Sequence, residues 1–322
     1  MNSTLVPSDL TPSRTFARFG WATLGYTLFV VLFGAWVRIT GSGAGCGQHW
    51  PTCHGVIIPR SPTVETVIEF THRTTSGLYG IAVLALLVWA IRKFPRGHLA
   101  RMGAWLTLVF TITEALVGAG LVTRGLVADN ASMERALVMS LHLVNTSVLT
   151  GSLALTCWAA EQPDVRGTLD WRARRKPALV LLGALVALVL VGMSGAVTAL
   201  GDTLFPLSGG SITVNLASDQ AAGAHFLQRL RGLHPLIAIG VGATILFIAQ
   251  NLTGRSTATA GQKFWGSVVI VGVLVQVAAG AVNVMLSAPG WMQLVHLMLG
   301  TSLWVAVVLL LASTVERRAP GS

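Results

Sequence analysis

Charged side chains are scarce in this sequence, and acidic ones are the scarcest. Only 11% of the 322 residues are charged, 12 of them acidic and 22 basic, whereas 53% are hydrophobic. An average soluble domain carries about 25% charged residues. Cysteine is also rare, with three residues. These shortages exclude a disordered chain, an ordinary soluble domain and a disulfide-dense scaffold.

Long apolar runs take the place of the missing charges. A transmembrane helix needs about 20 consecutive, mostly apolar residues. Eight such runs are present, at residues 18–39, 67–91, 101–123, 135–160, 177–200, 224–250, 264–287 and 292–314. The sequence therefore predicts an all-α membrane protein whose eight transmembrane helices lie in a lipid bilayer.

The basic residues outside these runs are concentrated in the even-numbered connections and in the two terminal segments. Lysine and arginine favour the cytoplasmic side of a membrane. We therefore expect both termini to be cytoplasmic. The net charge of +10 is interpreted as a signal of orientation, with no nucleic-acid partner.

Motifs of the first half recur in the second half. The segment GAWVRITGSG at residues 34–43 resembles GAVTALGDT at residues 195–203, and Glu114 falls where the repeat has Gln276. An even number of spans in each copy makes the two copies parallel. The repeat predicts two pseudo-symmetric four-helix bundles joined by a cytoplasmic linker, with bounds at residues 1–160, 161–176 for the linker, and 177–322.

Four histidines lie inside the predicted spans, and they are His72, His142, His234 and His296. Each lies roughly 5–10 residues from the outer end of its span, which is about 8–15 Å deep. Ionisable residues within a membrane are costly and usually functional. Two imidazoles from different helices of a bundle are a common way to hold b-type haem. The pattern predicts one haem site in each half, with a metal-free proton relay as the alternative.

Charged residues flank two of these histidines. Glu69 lies three residues before His72, on the same helix face, where it is either an acid–base residue or a capping or ion-pairing glutamate. Arg229 and Arg231 precede His234 and either pair with haem propionates or extend to the membrane interface. Only the first half has the acid, since Arg231 occupies its position in the repeat. This asymmetry indicates chemistry in the first half and a permanent cofactor in the second.

The first outer connection contains Cys46 and Cys53 in a stretch rich in glycine. Disulfides persist on the outer side of a membrane, and we expect these two cysteines to form one, either structural or redox-active. The alternative is a zinc site that also uses His49 and His54, although its spacing is cramped.

These motifs resemble those of the heme A synthase family. The residues that carry the resemblance are Cys46 in VRITGSGAGC, Cys53 in WPTC, Glu69 and His72 in IEFTHR, and then His142, His234 and His296. The resemblance extends over all eight spans. It implies an oxidoreductase that converts the C8 methyl of heme O to the formyl of heme A by successive hydroxylations, for cytochrome oxidase biogenesis.

The same resemblance implies the role of each site residue. His234 and His296 would ligate haem b, His72 and His142 would hold the substrate heme O, and Glu69 would lie beside it. Heme O synthase and cytochrome oxidase assembly factors would be partners, and a homo-oligomer is left open. The bacterial plasma membrane is favoured over the mitochondrial inner membrane.

Two residues depart from the expected pattern. His225, nine residues before His234, is a rival haem ligand, and Glu114 stands where the family pattern has glutamine. Two other functions also fit four membrane histidines: a di-haem b-type electron carrier, and a haem transporter or chaperone. A transmembrane carrier is disfavoured because all four histidines lie near one face, and a transporter needs neither Glu69 nor the cysteine pair.

Overall fold

The computed structural model describes residues 13–162, 169–207 and 212–316. Within these ranges most of the chain is helical, and eight helical segments are long and apolar enough to cross a membrane. The helices are α1 (Arg14–Ile39), α2 (Val64–Lys93), α3 (Leu99–Thr123), α4 (Met133–Glu161), α5 (Arg175–Leu204), α6 (Ile212–Asp219), α7 (Phe226–Arg231), α8 (Leu233–Thr253), α9 (Ala260–Met285) and α10 (Gly290–Val315). The prediction of an eight-span all-α membrane protein is confirmed.

The sixth span differs from its prediction because it is divided into α7 and α8 at Gly232. The cause is Pro235, which has no N–H to donate to the carbonyl of Arg231 four residues earlier. The proline is tolerated because it lies in the first turn of α8. As a result, His234 is also in the first turn of α8, next to the break.

The first four helices form one bundle, in which α1 packs against α2 and α4, and α3 packs against the same two helices. In the second bundle, α5 packs against α8 and α10, and α9 packs against the same two. The order of neighbours is the same in both halves. Pseudo-symmetry and the domain bounds remain predictions. The two termini (1–12 and 317–322) and residues 163–168 of the predicted linker lie outside the described residues, and orientation also remains a prediction.

The two bundles contact each other through α1 and α4 on one side and α5 and α10 on the other. The indole nitrogen of Trp304 donates to the carbonyl of Ser147 over 2.6 Å. At the end of α1, Arg38 donates to the carbonyl of Ala199 in α5 over 2.6 Å and to Gln293 in α10 over 2.9 Å. A single partly buried guanidinium group thus joins three helices.

Burial is uneven along the central helices α4 and α10. Residues 149–154 of α4 and 306–315 of α10 are all buried, and they form the packed core at one end of the molecule. Residues 141–148 and 293–302 contain no buried residue. Protein side chains therefore fill the interior at one end and leave it loosely filled at the other, which is the end that holds the histidines.

Candidate functional site

The four membrane histidines lie at one level. They come between six and nine residues after the start of α2, α4, α7 and α10, respectively, which corresponds to depths of about 9–14 Å. The four helices run in the same direction through the two bundles. Each bundle therefore has two imidazoles in its loosely filled half.

Each imidazole faces a glycine on a neighbouring helix. A Cβ atom added to the glycine would lie 3.0–3.9 Å from the Cε1 atom of the ring, and the pairs are Gly34–His72, Gly118–His142, Gly195–His234 and Gly280–His296. The glycines, like the histidines, occupy corresponding positions in the repeat. At three of the four positions a larger residue would displace the ring, so the glycines preserve space beside the imidazoles.

In the second half, the rings of His234 and His296 are neighbours in a T-shaped arrangement, with centroids 6.4 Å apart and planes at 89°. Two imidazoles that bind one metal ion from opposite sides through bonds of about 2 Å have centroids about 6 Å apart. The observed separation fits a pair of axial ligands.

Hydrogen bonds orient both of these rings. The hydroxyl of Ser194 donates to the carbonyl of Val191, and its oxygen lies 3.0 Å from Nδ1 of His234. Because that hydroxyl proton is already used, we assign the proton of His234 to Nδ1, which leaves the Nε2 lone pair for a metal. Nε2 of His296 lies 3.3 Å from the side-chain nitrogen of Gln276, so the one lone pair of Nε2 accepts from this amide, while Nδ1 of the ring is buried without a hydrogen-bond partner.

In the first half, the repeat position that corresponds to Gln276 is occupied by a carboxylate, that of Glu114. Oε1 of Glu114 lies 3.4 Å from Nδ1 of His142, and Glu114 also accepts hydrogen bonds of 2.5 Å from Asn145 and Thr146 on α4. Nδ1 of His72 and Nδ1 of His142 are buried without a hydrogen bond of good geometry. Each candidate site therefore has its own pair of histidines and its own pair of glycines. The two sites differ in the side chain that contacts one of the imidazoles: a carboxylate in the first half and an amide in the second.

Glu69 is buried one turn before His72, with 3% of its surface exposed. Its Oε2 accepts the N–H of Cys46 over 2.7 Å, and its Oε1 forms an ion pair with Arg73. The cap of α2 is Thr63, so the capping alternative for Glu69 is wrong. The ion-pairing alternative describes part of what the carboxylate does.

Arg73 extends this contact into the outer loop. It donates to the carbonyls of His49 and Thr52 over 2.7 and 2.8 Å. The loop is closed by a disulfide between Cys46 and Cys53, which confirms that prediction. The zinc alternative is wrong because both sulfur atoms are bonded to each other. The Glu69–Arg73 pair thus fastens the disulfide loop to the helix that carries His72.

Comparison with known proteins identifies the family of the chain. The family described as cytochrome oxidase assembly protein matches residues 17–308. A heme A synthase of Halalkalibacterium halodurans is 31% identical over 275 residues, which cover 83% of this chain and 86% of the relative. The chain belongs to the heme A synthase family.

Two further relatives differ in how much of them the chain matches. A heme A synthase of Alkalihalophilus pseudofirmus is 30% identical over 64% of this chain and 67% of its own length. A Thermus thermophilus protein named protoheme IX farnesyltransferase is 50% identical over 304 residues, which cover 94% of this chain and 49% of the relative. The chain spans about half the length of this Thermus relative.

The arginines that precede His234 contact protein groups. Nε of Arg231 lies 2.9 Å from Asp202 and its Nη1 lies 3.4 Å from Asp219, while Nη2 donates to two backbone carbonyls of the α5 end. Burial raises the pKa of the Asp219 carboxyl above its usual value, and the nearby Arg231 guanidinium offsets only part of this increase. Arg229 donates to the carbonyls of residues 221 and 222. A propionate-binding role for either arginine remains a prediction.

The rival ligand His225 serves another purpose in this structure. Its Nδ1 accepts the N–H of Leu227 and caps α7, and its ring stacks on Phe205 at 4.9 Å. The ring that faces His296 is that of His234. Of these two histidines, His234 therefore lies beside His296, whereas His225 caps a helix, and the haem-ligand role of His234 remains a prediction.

Proposed function

We propose that this protein is a heme A synthase that oxidises the C8 methyl of heme O to a formyl group. Each of two successive hydroxylations replaces a C–H bond by a C–O bond and passes two electrons to an external oxidant. The first gives an alcohol and the second a gem-diol, which loses water to leave the formyl group. Membership of the family supports the reaction. One observation supports different roles for the two halves. Carboxylates lie beside the histidines in the first half, whereas a serine and an amide lie beside the histidines in the second half.

The second half is proposed to hold a resident haem b between His234 and His296. The distance between their rings, the Nδ1 contact of Ser194 and the space beside Gly195 and Gly280 fit such a group. Binding through Nε2 of His296 would require this atom to exchange its contact with the Gln276 amide for the iron. When bound, a haem supplies one-electron and oxygen chemistry that side chains lack. The protein residues fix the orientation of both imidazoles and hold the His234 proton at Nδ1.

The first half is proposed to hold heme O with His72 and His142. Glu69 is the proposed acid–base residue because it is a buried carboxylate one turn from His72. The Cys46 N–H and Arg73 hold this carboxylate in place beside the proposed substrate pocket. Glu114 is proposed to orient His142, since it contacts Nδ1 of that ring.

The partners follow from the chemistry of the substrate. A farnesyltransferase that acts on protoheme IX supplies a farnesylated haem, and the Thermus relative that bears this name matches the present chain over about half of its length. We propose heme O synthase and cytochrome oxidase assembly factors as partners. We also propose a bacterial plasma membrane location with both termini cytoplasmic.

Pigment analysis of the purified protein tests the proposed function. Extraction followed by chromatography is expected to yield haem b together with heme O or heme A. A yield of haem b alone would instead identify a di-haem electron carrier. That outcome would overturn the synthase assignment, and conversion of added heme O to heme A by the purified protein would support it.

Histidine variants test the division between the two halves. His234→Ala and His296→Ala should each abolish the low-spin b-type spectrum, whereas His72→Ala should retain most of it. His225→Ala is the matched control, because it removes an imidazole that caps α7. Equal loss of the spectrum from His72→Ala and His234→Ala would refute separate sites, and loss from His225→Ala alone would reassign the ligand.

A further inference from the structure

A basic groove lies at the end of the molecule opposite the histidines. It has a volume of about 750 Å³ and lies between the start of α5 and the end of α8. The basic residues that line it are Arg172, Arg174, Arg175, Lys176 and Arg255. The proposed haem sites involve none of these residues.

The groove is lined by positive charge, and the carboxylate nearest to it in the described sequence, Asp170, accepts the N–H of Ala173. The lining contains no acidic residue. Within the described part of the chain, none of its five cations takes part in a salt bridge. The positive end of the α5 dipole adds to the field, because this helix begins at Arg175. Five cations collected in one concave site create a strong attraction for an anion.

The opposite wall of the groove is apolar and faces outwards. Phe247 is 67% exposed and Val180 is 48% exposed, and both lie in helices that are long and apolar enough to span a membrane. Trp171, which is also exposed, lies next to the basic residues in the sequence. Tryptophan is enriched where a membrane protein meets the headgroup region. The basic residues of the groove therefore lie where lipid headgroups are expected, and its apolar side could contact a hydrocarbon chain.

We propose that this groove binds an anionic phospholipid. The phosphate would contact the basic cluster, and one acyl chain would lie along Phe247 and Val180. Basic pockets between transmembrane helices are suited to phosphate-bearing headgroups. Free phosphate would satisfy the cations but would leave the apolar wall uncovered, so the two ligands can be distinguished.

Binding is measured on the intact, detergent-purified protein with three probes: phosphatidylglycerol, phosphatidylcholine and inorganic phosphate. Native mass spectrometry should show phosphatidylglycerol bound at least tenfold more tightly than phosphatidylcholine. Equal affinity for the two lipids would overturn the proposal. Binding of inorganic phosphate as tight as that of phosphatidylglycerol would also overturn it, in favour of a simple anion site.

Two double variants locate the site. Arg175→Gln with Lys176→Gln should weaken phosphatidylglycerol binding about 25-fold, since each cation near a membrane surface contributes about fivefold. Arg92→Gln with Lys93→Gln is the matched control, because it removes two exposed cations at the end of α2, and it should change affinity less than twofold. Equal loss from both variants would refute a local site.

The single variant Phe247→Ala tests the apolar wall. It should weaken phosphatidylglycerol binding severalfold without changing binding of inorganic phosphate. The haem spectrum of every variant is recorded as a check on folding. Since none of these measurements depends on heme O oxidation, failure of the lipid proposal leaves the proposed function untouched.

Discussion

Neutralising Glu69 is the sharpest perturbation that the structure suggests. Glu69→Gln keeps the shape of the side chain and an oxygen that can accept the Cys46 N–H, but it removes the charge that pairs with Arg73. The side chains of this pair are 4% and 13% exposed. Removing one partner of a buried ion pair typically costs about 3–5 kcal/mol. Arg73 retains its contacts with His49 and Thr52, so we expect a loss near 3 kcal/mol.

The effect on turnover should be larger than the effect on folding. An acid–base carboxylate typically contributes about 10²–10⁴-fold to rate, so the variant should make little heme A or stop at the alcohol. The haem b spectrum should persist, because Glu69 lies in the first half and His234 and His296 lie in the second. The assay is chromatography of extracted haems at matched protein levels.

Two further variants separate catalysis from anchoring of the loop. Glu65→Gln is the matched control, because it neutralises an exposed carboxylate one turn earlier on α2. Arg73→Gln removes the ion pair and both loop carbonyl contacts, but it leaves the Glu69 carboxylate. If Arg73→Gln loses as much heme A as Glu69→Gln, Glu69 is a positioning residue that holds the loop. Normal heme A production by Glu69→Gln would refute its role altogether.

Three more outcomes are expected. Cys46 and Cys53 should resist thiol labelling until a reductant is added, and labelling of both in the untreated protein would contradict the disulfide. Gln276→Glu places a carboxylate, like that of Glu114, in the second site. It should lower the reduction potential of haem b by about 60 mV, which corresponds to a tenfold change in the relative affinity of the site for oxidised and reduced haem. An unchanged potential in a redox titration would contradict contact between residue 276 and His296. Arg38→Ala should destabilise the protein by about 2–4 kcal/mol through lost charged hydrogen bonds, and an unchanged melting temperature would show that α5 and α10 do not depend on it.

The sequence by itself determined the number and the approximate bounds of the membrane spans. Long apolar runs are a local property of the chain, and a spanning segment in lipid must be helical because its backbone groups can be satisfied only internally. The level of the histidines follows directly, since it depends only on their distance from a helix end. The Cys46–Cys53 disulfide was also foreseeable, because its partners are seven residues apart in one loop.

Tertiary structure decided which side chains meet. In a lipid environment both the outer and inner faces of a helix are apolar, so the sequence pattern gives weak information about rotation. Ser194 contacts His234 only because α5 and α8 pack side by side, which the sequence alone does not specify. The short helix α6 was not foreseen, and Asp219 at its end is one of two carboxylates that contact Arg231.

The same distinction applies to Glu69 and to the basic groove. Helical spacing placed Glu69 on the face of His72, but only the folded loop showed that its carboxylate also holds Cys46 and Arg73. The cations of the linker were read from the sequence as a signal of orientation. They form a concave site only because α5 begins where α8 ends, which brings Arg255 beside a cluster that lies about 80 residues earlier in the chain.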